Sequence, residues 1–463
     1  MNSLEHQLPE ASRCRKTSGF VYFCRLFFVK GEKKMGYSEI PNVIKSFMEK
    51  ITFLCGEDHA NWAENFNAAF ANTVLTTVKK QEDGSTFVLT GDIPAMWLRD
   101  STAQVRPYLC LAKDDQELSD MIAGLVKKQF MFITIDPYAN AFNETENFAG
   151  HQDDLTELNG WIWERKYEID SLCYPIQLAY LLYKNTGRTD HFDKNFIEGV
   201  KKVLTVFRTE QDHEQSPYRF ERQTERQEDT LKFAGKGTPV AKTGMTWSGF
   251  RPSDDACVYG YLIPSNMFAV VVLGYLEQIF SDILDEPTLV AEAADLKQEI
   301  QAGIEKYAYT TNQAGETIYA YEVDGLGNAS VMDDSNVPNL ISAPYLGYGT
   351  VDDPTYLATR KTLLSDENPY YYQGEFASGI GSSHTPHNFV WPIAMAMTGL
   401  TTPNKEEKAQ ILDQLVSIDA GTHLMHEGIN VNDPTDYTRE WFSWANMMFC
   451  ELVMDYFDIR VEK

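Results

Sequence analysis

Segment 91–108, GDIPAMWLRDSTAQVRPY, places charged and aromatic side chains among apolar ones. Its candidates for substrate binding are Asp92, Trp97, Arg99 and Asp100. Buried charge is costly unless it is paired, so these residues would make a poor hydrophobic core. Carboxylates and guanidinium groups can hold sugar hydroxyls, and an aromatic face can cover the apolar side of a sugar ring. The segment therefore indicates a sugar site, and the alternative is an Arg–Asp pair that fixes a loop to a helix start.

The local structure of this segment follows from its proline and its acids. Pro94 interrupts the run, so we expect Asp92 to lie on a loop. Asp100 precedes Ser-Thr-Ala, which predicts that it caps the N-terminus of a helix.

A second group of candidates follows in the loop predicted over 135–165. Three consecutive residues offer polar contacts to a substrate: His151, Gln152 and Asp153. Glu168 and Asp170 come next and are predicted at the head of a helix, where they could simply complement the positive end of the helix dipole.

The sequence TWSGFRPSDDA, residues 246–256, contains a candidate general acid, Asp254, with Arg251 and Ser253 as substrate-binding candidates. A general acid must keep its proton near neutral pH, and desolvation beside Trp247 and Phe250 would raise the pKa of this carboxyl. Arg251 would oppose that shift if it came close. The alternative is that Ser253 and Asp254 cap the segment that follows.

The sequence GIGSSHTPHNFVW, residues 379–391, carries His384 and His387 on either side of Pro386, at a predicted helix start. His384 is a candidate for binding substrate hydroxyls. A metal pair is the alternative, although the segment shows no third or fourth ligand.

The sequence HLMHEGINVN, residues 423–432, offers a candidate general base. Glu427 lies between His426 and Gly428, in a turn rather than on a helix face. A base needs such a fixed and partly exposed position. His426 is a further substrate-binding candidate, and the alternative for Glu427 is an ordinary surface glutamate.

Other chemistries find no support in the motifs. The sequence has no P-loop, no GxGxxG after a strand and no GxSxG, and acyl transfer lacks a credible nucleophile. Carboxylates accompanied by aromatic side chains are what glycoside hydrolysis requires.

These loops must be positioned by a helical frame. Apolar residues at three- and four-residue spacing predict about twelve helices. The predicted ranges are 38–54, 58–78, 100–112, 115–131, 168–185, 190–209, 264–282, 286–308, 352–364, 386–399, 404–417 and 438–458. Weak strands are predicted over 85–90 and 317–323. Long loops rich in Trp, His, Asp and Asn separate the helices, as expected of site-forming loops. The pattern predicts an all-α single domain, by analogy a toroid of two concentric six-helix rings.

Composition limits the function classes. The 463 residues carry a net charge of −27, which disfavours nucleic-acid and anionic-membrane partners. No obligate protein partner is inferred. Seven scattered cysteines without a CxxC pair favour a reducing, cytoplasmic compartment over a disulfide framework.

The N-terminus differs from the rest of the chain. Residues 1–34 contain seven Lys/Arg and three Glu, and the apolar stretch 20–29 is too short to span a bilayer. We expect 1–34 to be a disordered extension outside the fold, with 35–463 as a single catalytic domain. A weak membrane-surface anchor is the alternative for 1–34.

The combination of GDIPAMWLRDSTAQVRPY, the loop 247–255, GSSHTPHNFVWP and MHEGI resembles glycoside hydrolase family 125, the exo-α-1,6-mannosidases, from about residue 36 onward. The resemblance implies an (α/α)6 barrel, no metal or other cofactor, and inversion at the anomeric carbon. It also implies that Asp254 is the general acid and Glu427 the general base. The substrate would be a mannose-containing oligosaccharide of the N-glycan type.

Three alternatives remain open at this stage. The first is another inverting (α/α)6 glycosidase, such as a glucoamylase-like enzyme. The second is a non-catalytic sugar-binding protein that uses the same pocket. The third is a calcium-dependent mannosidase.

Overall fold

A computed structural model describes residues 36–463 of the chain. The described residues form one compact unit. The predictions made for residues 1–34, both the disordered extension and the membrane-surface anchor, lie outside the described residues.

The described residues form twelve helices of eight or more residues, in agreement with the number that the apolar spacing predicts. They are α1 (Asn42–Cys55), α2 (Ala60–Thr76), α3 (Leu98–Val105), α5 (Gln116–Ile135), α6 (Ile169–Thr186), α7 (Lys194–Glu210), α9 (Ile263–Asp282), α10 (Pro287–Tyr307), α12 (Pro354–Leu363), α13 (Pro392–Leu400), α14 (Lys405–Ser417) and α15 (Ser443–Tyr456). Three four-residue segments complete the set: α4 (Leu109–Ala112), α8 (Lys232–Gly235) and α11 (Ala343–Leu346).

The helices form an inner and an outer layer that alternate along the chain. In the inner layer, α15 packs against α13 and α3, α3 against α6, α6 against α9, and the short α11 against α9. In the outer layer, α5, α7, α10 and α14 pack on the inner helices that precede them in the chain. All eight residues of α3 are buried, whereas α10 buries a single apolar stripe and exposes the rest. This difference is expected, because a helix surrounded by others has no solvent face and an outer helix must be amphipathic.

Fourteen strands of two to six residues lie in the loops, far more than the two predicted. They are β1 (Val78–Lys80), β2 (Thr86–Val88), β3 (Met96–Trp97), β4 (Ala141–Phe142), β5 (Ile162–Glu164), β6 (Tyr261–Leu262), β7 (Tyr309–Thr311), β8 (Thr317–Tyr319), β9 (Glu322–Val323), β10 (Tyr371–Gln373), β11 (Ser378–Ile380), β12 (Phe389–Val390), β13 (Gly428–Asn430) and β14 (Asp433–Thr438). All pairings are antiparallel, and the two three-stranded sheets are β3-β4-β5 and β12-β13-β14.

Short strands precede the N-termini of most inner helices. β3 leads directly into α3, β6 into α9, and β12 is followed by α13. The sheets β3-β4-β5 and β12-β13-β14 therefore join the loops at the N-terminal ends of the inner helices. This end of the barrel collects the long loops that the sequence marks as site-forming.

The two predicted helix boundaries that deviate most from the structure are wrong for local reasons. The helix predicted over 386–399 begins only at Pro392, because Phe389 and Val390 pair with Asn430 and Ile429 as strand β12. Proline at the first helical position then sets the start. The helix predicted over 100–112 is broken at Arg106 by a 3₁₀ turn that contains Pro107.

One described helix, α9, is long and apolar enough to cross a membrane by length and composition. Two-thirds of its most apolar window is buried inside the fold, against α6 and α10. Its apolar composition is thus used in packing between the two layers.

Candidate active site

A pocket of about 170 Å³ opens at the N-terminal end of the inner helices. A cavity needs only about 10–15 Å³ to hold one water molecule, so this pocket can admit a small polar ligand. Seven of the predicted site residues line it: Trp97, Arg99, Asp100, Ser253, Asp254, His384 and Glu427. The structure therefore brings the proposed general acid and general base, 173 positions apart in the sequence (427 − 254), to one pocket.

Asp254 lies at the tip of a tight loop. Phe250 and Ala256 pair as an isolated bridge that closes the loop, and the Asp254 amide donates to the Arg251 carbonyl at 2.9 Å. Asp254 has a φ of 65°, in the left-handed region that costs a non-glycine residue about 1–3 kcal/mol. Lys166 fixes this conformation by donating to the Asp254 carbonyl at 2.7 Å. The alternative of a helix-capping role for Ser253 and Asp254 is wrong, because no helix follows until Ile263.

The side chain of Asp254 points at a guanidinium rather than at aromatic rings. Its Oδ1 accepts from Arg99 Nη2 at 3.3 Å and from Asn140 Nδ2 at 3.2 Å. Trp247 instead stacks on His213, with ring centroids 3.4 Å apart. Phe250 packs edge-on against Phe220. The predicted enclosure of Asp254 by Trp247 and Phe250 is therefore wrong.

The pKa of Asp254 is shifted in the direction opposite to the prediction. Burial alone would raise it, but the Arg99 guanidinium and a hydrogen bond from Glu168 outweigh burial and lower the pKa of this carboxyl. Burial, with Asp254 and Asp170 nearby, raises the pKa of Glu168 well above its usual range, against the opposing charge of Arg99. Of this carboxyl pair, Glu168 thus holds a proton more readily and Asp254 gives one up more readily.

Arg99 and the three buried carboxyl groups around it lie at the starts of two helices, α3 and α6. Asp100 is in the first turn of α3 and not at its N-cap, which is Trp97, so that prediction is wrong. The Asp100 Oδ1 accepts from Thr90 Oγ1 at 2.6 Å. Glu168 and Asp170 do lie at the start of α6, but both bind Arg99 rather than simply complementing the helix dipole.

Glu427 lies immediately before β13. Its amide donates to the Thr438 carbonyl at 3.2 Å, so the hairpin β13-β14 fixes its backbone. Its Oε1 is 3.4 Å from Arg439 Nη1. The side chain is 9 % exposed and lines the pocket. The alternative of an ordinary surface glutamate is excluded.

His384 is a cation held by Asp255. Its Nδ1 is 2.9 Å from Asp255 Oδ1. Burial lowers the pKa of His384, but this hydrogen bond and the charges of Asp255, Glu427 and Asp254 outweigh burial and raise the pKa to about 9. His387 is exposed and packs edge-on against Tyr372, so the two histidines do not act together. Within residues 36–463 no group of three or more His, Cys, Asp or Glu side chains is arranged to hold a metal ion.

Six predicted substrate-binding residues lie outside the pocket lining: Asp92, His151, Gln152, Asp153, Arg251 and His426. Two of them are buried structural contacts. Arg251 Nε binds Glu322 Oε1 at 2.6 Å, and the His426 ring stacks on Tyr437 with centroids 3.8 Å apart. Because Arg251 is committed to Glu322, it does not set the charge state of Asp254.

The other four lie in polar loops. Asp92 accepts from Arg439 Nη2 at 2.6 Å and so reaches the pocket only through that residue. Gln152 donates to the Ile162 carbonyl at 2.8 Å. His151 and Asp153 are exposed.

Sequence reasoning missed several lining residues: Thr90, Ile93, Pro252, Asn336, Trp391, Arg439, Phe442 and Trp444. Trp444 and Arg439 belong to the sequence DYTREWFSWA beside the Glu427 motif, whose aromatic and charged residues were a usable signal. The indole N–H groups of Trp97 and Trp444 are buried and lack a hydrogen-bond partner among the described residues. Asn336 had no comparable signal.

Comparison with known proteins identifies the family of the chain. Residues 59–454 match the family described as metal-independent alpha-mannosidase (GH125). A solved Streptococcus pneumoniae structure is 60% identical, with a TM-score of 0.89 over 90% of this chain and 99% of that one. It is described as one of a family of metal-independent alpha mannosidases, in a non-productive complex with α-1,6-mannobiose. The meiotically up-regulated gene 157 protein of Schizosaccharomyces pombe is 38% identical over 426 residues, which are 86% of this chain and 82% of that protein.

More distant structures agree in fold alone. The glucoamylase of Saccharomycopsis fibuligera is 12% identical, with a TM-score of 0.55 over 94% of this chain and 98% of that one. A bacterial glucoamylase bound to acarbose is 13% identical, with a TM-score of 0.55 over 90% of this chain and 58% of that one. The predicted (α/α)6 barrel is confirmed, and the chain belongs to the GH125 family of metal-independent α-mannosidases.

Proposed function

We propose that this protein is an exo-acting α-1,6-mannosidase that hydrolyses terminal mannose from α-mannosides with inversion. The observation that carries the proposal is the shared pocket of Asp254 and Glu427, held from different loops by Arg99 and Arg439. The linkage is supported by the 60% identical structure, which holds α-1,6-mannobiose.

The proposed reaction uses the two carboxyl groups in different roles. Asp254 donates a proton to the glycosidic oxygen as the bond to the anomeric carbon breaks. Glu427, ionised, removes a proton from the water that attacks this carbon from the opposite face. Inverting enzymes need about 6.5–9.5 Å between the two carboxyl groups to admit that water, and we expect this separation here.

The other lining residues can bind a single sugar ring. His384, as a cation, can donate to a hydroxyl oxygen, and the rings of Trp97 and Trp444 line the same pocket. A pocket of this size fits one sugar ring behind the scissile bond, as an exo enzyme requires. The substrate class that we propose is a mannose-terminated oligosaccharide of the N-glycan type.

We also propose that the protein acts in the cytoplasm. The support is that all five cysteines within the described residues, Cys55, Cys110, Cys173, Cys257 and Cys450, are free thiols. Fractionation of cells that express the full chain would test this proposal.

The experiment that tests the activity is hydrolysis of α-1,6-mannobiose followed by NMR of the product anomer. We expect β-mannose to appear first and α-mannose only later by mutarotation. Cleavage of terminal α-glucosides but not α-mannosides would overturn the substrate class. Binding of mannobiose without cleavage would make the protein a sugar-binding protein, and α-mannose as the first product would overturn inversion.

A further inference from the structure

Arg99 carries one positive charge among four carboxyl groups, three of them buried and the fourth, Asp254, facing the pocket. Its Nη1 is 2.5 Å from Glu168 Oε2 and 3.2 Å from Asp170 Oδ2, and its Nη2 is 3.3 Å from Asp254 Oδ1. Its Nε is 3.5 Å from Asp100 Oδ2. Four ionised carboxylates would leave this largely buried cluster with a net charge of −3.

The surrounding charged groups do not remove that imbalance. Lys166 lies beside Asp254 but also faces Asp229 at 3.3 Å and Glu164 at 3.7 Å. His384 already pairs with Asp255 at 2.9 Å. Carboxylates that share a buried site cannot all ionise, so one of them takes a strongly raised pKa and keeps a proton. The Arg99 cluster must therefore hold at least one proton near neutral pH.

The geometry favours Glu168 as the proton's resting position. Its side chain is 0 % exposed, whereas the side chain of Asp254 is 23 % exposed and faces the pocket. The Glu168 Oε2 already accepts from Arg99 and from Ser171 Oγ, at 2.7 Å for the latter. Its Oε1 has only a marginal 3.5 Å contact with Asn140 Nδ2, the same nitrogen that donates to Asp254 Oδ1 at 3.2 Å. This Glu168 oxygen therefore lies beside Asp254 and remains available to carry a proton.

We propose that Glu168 holds, in the resting enzyme, the proton that Asp254 delivers to the glycosidic oxygen. The inference rests on the proposed glycosidase activity. Glu168 is the proton-holding partner of Asp254 and does not touch the substrate, since it lies outside the pocket lining. The raised pKa of Glu168 and the lowered pKa of Asp254 support this arrangement.

The protons balance over one turnover. As the glycosidic bond breaks, the proton moves from Glu168 to Asp254 and from Asp254 to the departing oxygen, which leaves as an alcohol. Glu427 takes a proton from the attacking water, whose hydroxyl joins the anomeric carbon. Glu427 then releases its proton to solvent, and Glu168 regains one from solvent after the products leave.

The test is Glu168→Gln assayed on two substrates. Glutamine preserves the size of the side chain and can donate a hydrogen bond to Asp254, but it has no acidic proton to pass on. General acid catalysis is worth about 10²–10⁴-fold, so we expect kcat on α-1,6-mannobiose to fall by at least ~10²-fold. The leaving group of 2,4-dinitrophenyl α-mannoside needs no general acid, so on this substrate we expect a loss below ~10-fold.

Asp170→Asn is the matched control. Asp170 is equally buried and binds the same Arg99 nitrogen, but the hydrogen bond to Asp254 comes from Glu168. We expect this variant to affect both substrates alike. Equal losses on both substrates in Glu168→Gln, or no loss on either, would overturn the inference. Failure of the wild-type protein to cleave either substrate would instead overturn the proposed function and with it this inference.

The protonation state of Glu168 can also be measured in the wild-type protein. This measurement does not require the Glu168→Gln variant to fold. Glutamate labelled with ¹³C at the side-chain carboxyl separates the Glu signals from those of Asp in NMR. We expect one Glu carboxyl to remain neutral at pH 7 and its signal to be absent from Glu168→Gln. If every Glu carboxyl of the wild-type protein is ionised at pH 7, the proposal is wrong.

Discussion

The Arg439 guanidinium lies 3.4 Å from the Glu427 carboxylate. Arg439 also binds Asp92 at 2.6 Å, so one side chain connects the loop before α3 with the start of β13. Arg439 has a φ of 46°, in the left-handed region, and its guanidinium lies over the Phe442 ring. The position of the proposed base is therefore fixed by a residue twelve positions further along the chain.

Arg439→Met should lower kcat/KM with little change in fold. Loss of the guanidinium frees the Glu427 side chain, and a misplacement of about 1 Å can cost ~10²-fold in rate. Steady-state kinetics on α-1,6-mannobiose would measure this effect. Asp92→Asn is the control, because Asp92 contacts Arg439 but not the pocket, and its effect should be the smaller of the two. The reverse order would indicate that Asp92 binds the sugar directly.

The acid and base assignments predict different responses to the leaving group. Asp254→Asn and Glu427→Gln should each lower kcat on α-1,6-mannobiose by about 10²–10⁴-fold. On 2,4-dinitrophenyl α-mannoside, Asp254→Asn should recover most of the activity and Glu427→Gln should not, because the attacking water still needs a base. If Glu427→Gln is the variant that recovers, the two roles are exchanged.

The His384–Asp255 pair predicts a pH-dependent stability. The folded-state pKa of His384, about 9, is above its usual value of 6.5. The stabilisation is thus complete below about pH 6.5 and is lost as the pH rises through 9. Asp255→Asn should lower Tm more at pH 6 than at pH 9.5, as measured by thermal denaturation at both values. A Tm difference that does not change with pH would contradict a charged His384.

Arg99→Met should be strongly destabilising. Removing one partner of a buried ion pair typically costs about 3–5 kcal/mol, and here several carboxyl groups lose the same partner. The pKa of Asp170 is already raised to about 6 by burial, and the pKa values of Glu168 and Asp100 are raised as well. Protonation of these groups at low pH should therefore reduce the defect.

Urea denaturation at pH 8 and pH 5 would measure this effect. Arg188→Met is the control, since Arg188 pairs with the exposed carboxylates of Asp120 and Asp190. An exposed pair contributes about 0–1 kcal/mol. A similar loss in both variants would contradict a special role for the Arg99 cluster.

Chelators should not affect activity. The chain belongs to a family described as metal-independent, and the proposed mechanism assigns every proton to a carboxyl group. Initial rates on α-1,6-mannobiose after dialysis against EDTA should equal those of untreated protein. A loss of activity that added calcium restores would favour the calcium-dependent alternative.

Much of the fold could be predicted from the sequence because helix spacing is a local property. The twelve long helices follow from apolar residues that recur every three or four positions, a pattern that packing in two layers requires. The two-residue strands could not be predicted, since Phe389 and Val390 become a strand only by pairing with residues near 430. Their pairing partners lie about forty positions away.

The sequence by itself determined the residue types of the site, the helical frame and the motifs that mark the family. Only the tertiary structure decided the electrostatics, because a pKa depends on charges that are close in space. Asp254 meets Arg99 across 155 positions, and Arg439 meets Asp92 across 347. The sequence neighbours of Asp254 predicted the wrong surroundings for its carboxyl group. In the folded chain Trp247 stacks on His213 and Arg251 pairs with Glu322, so neither side chain contacts Asp254.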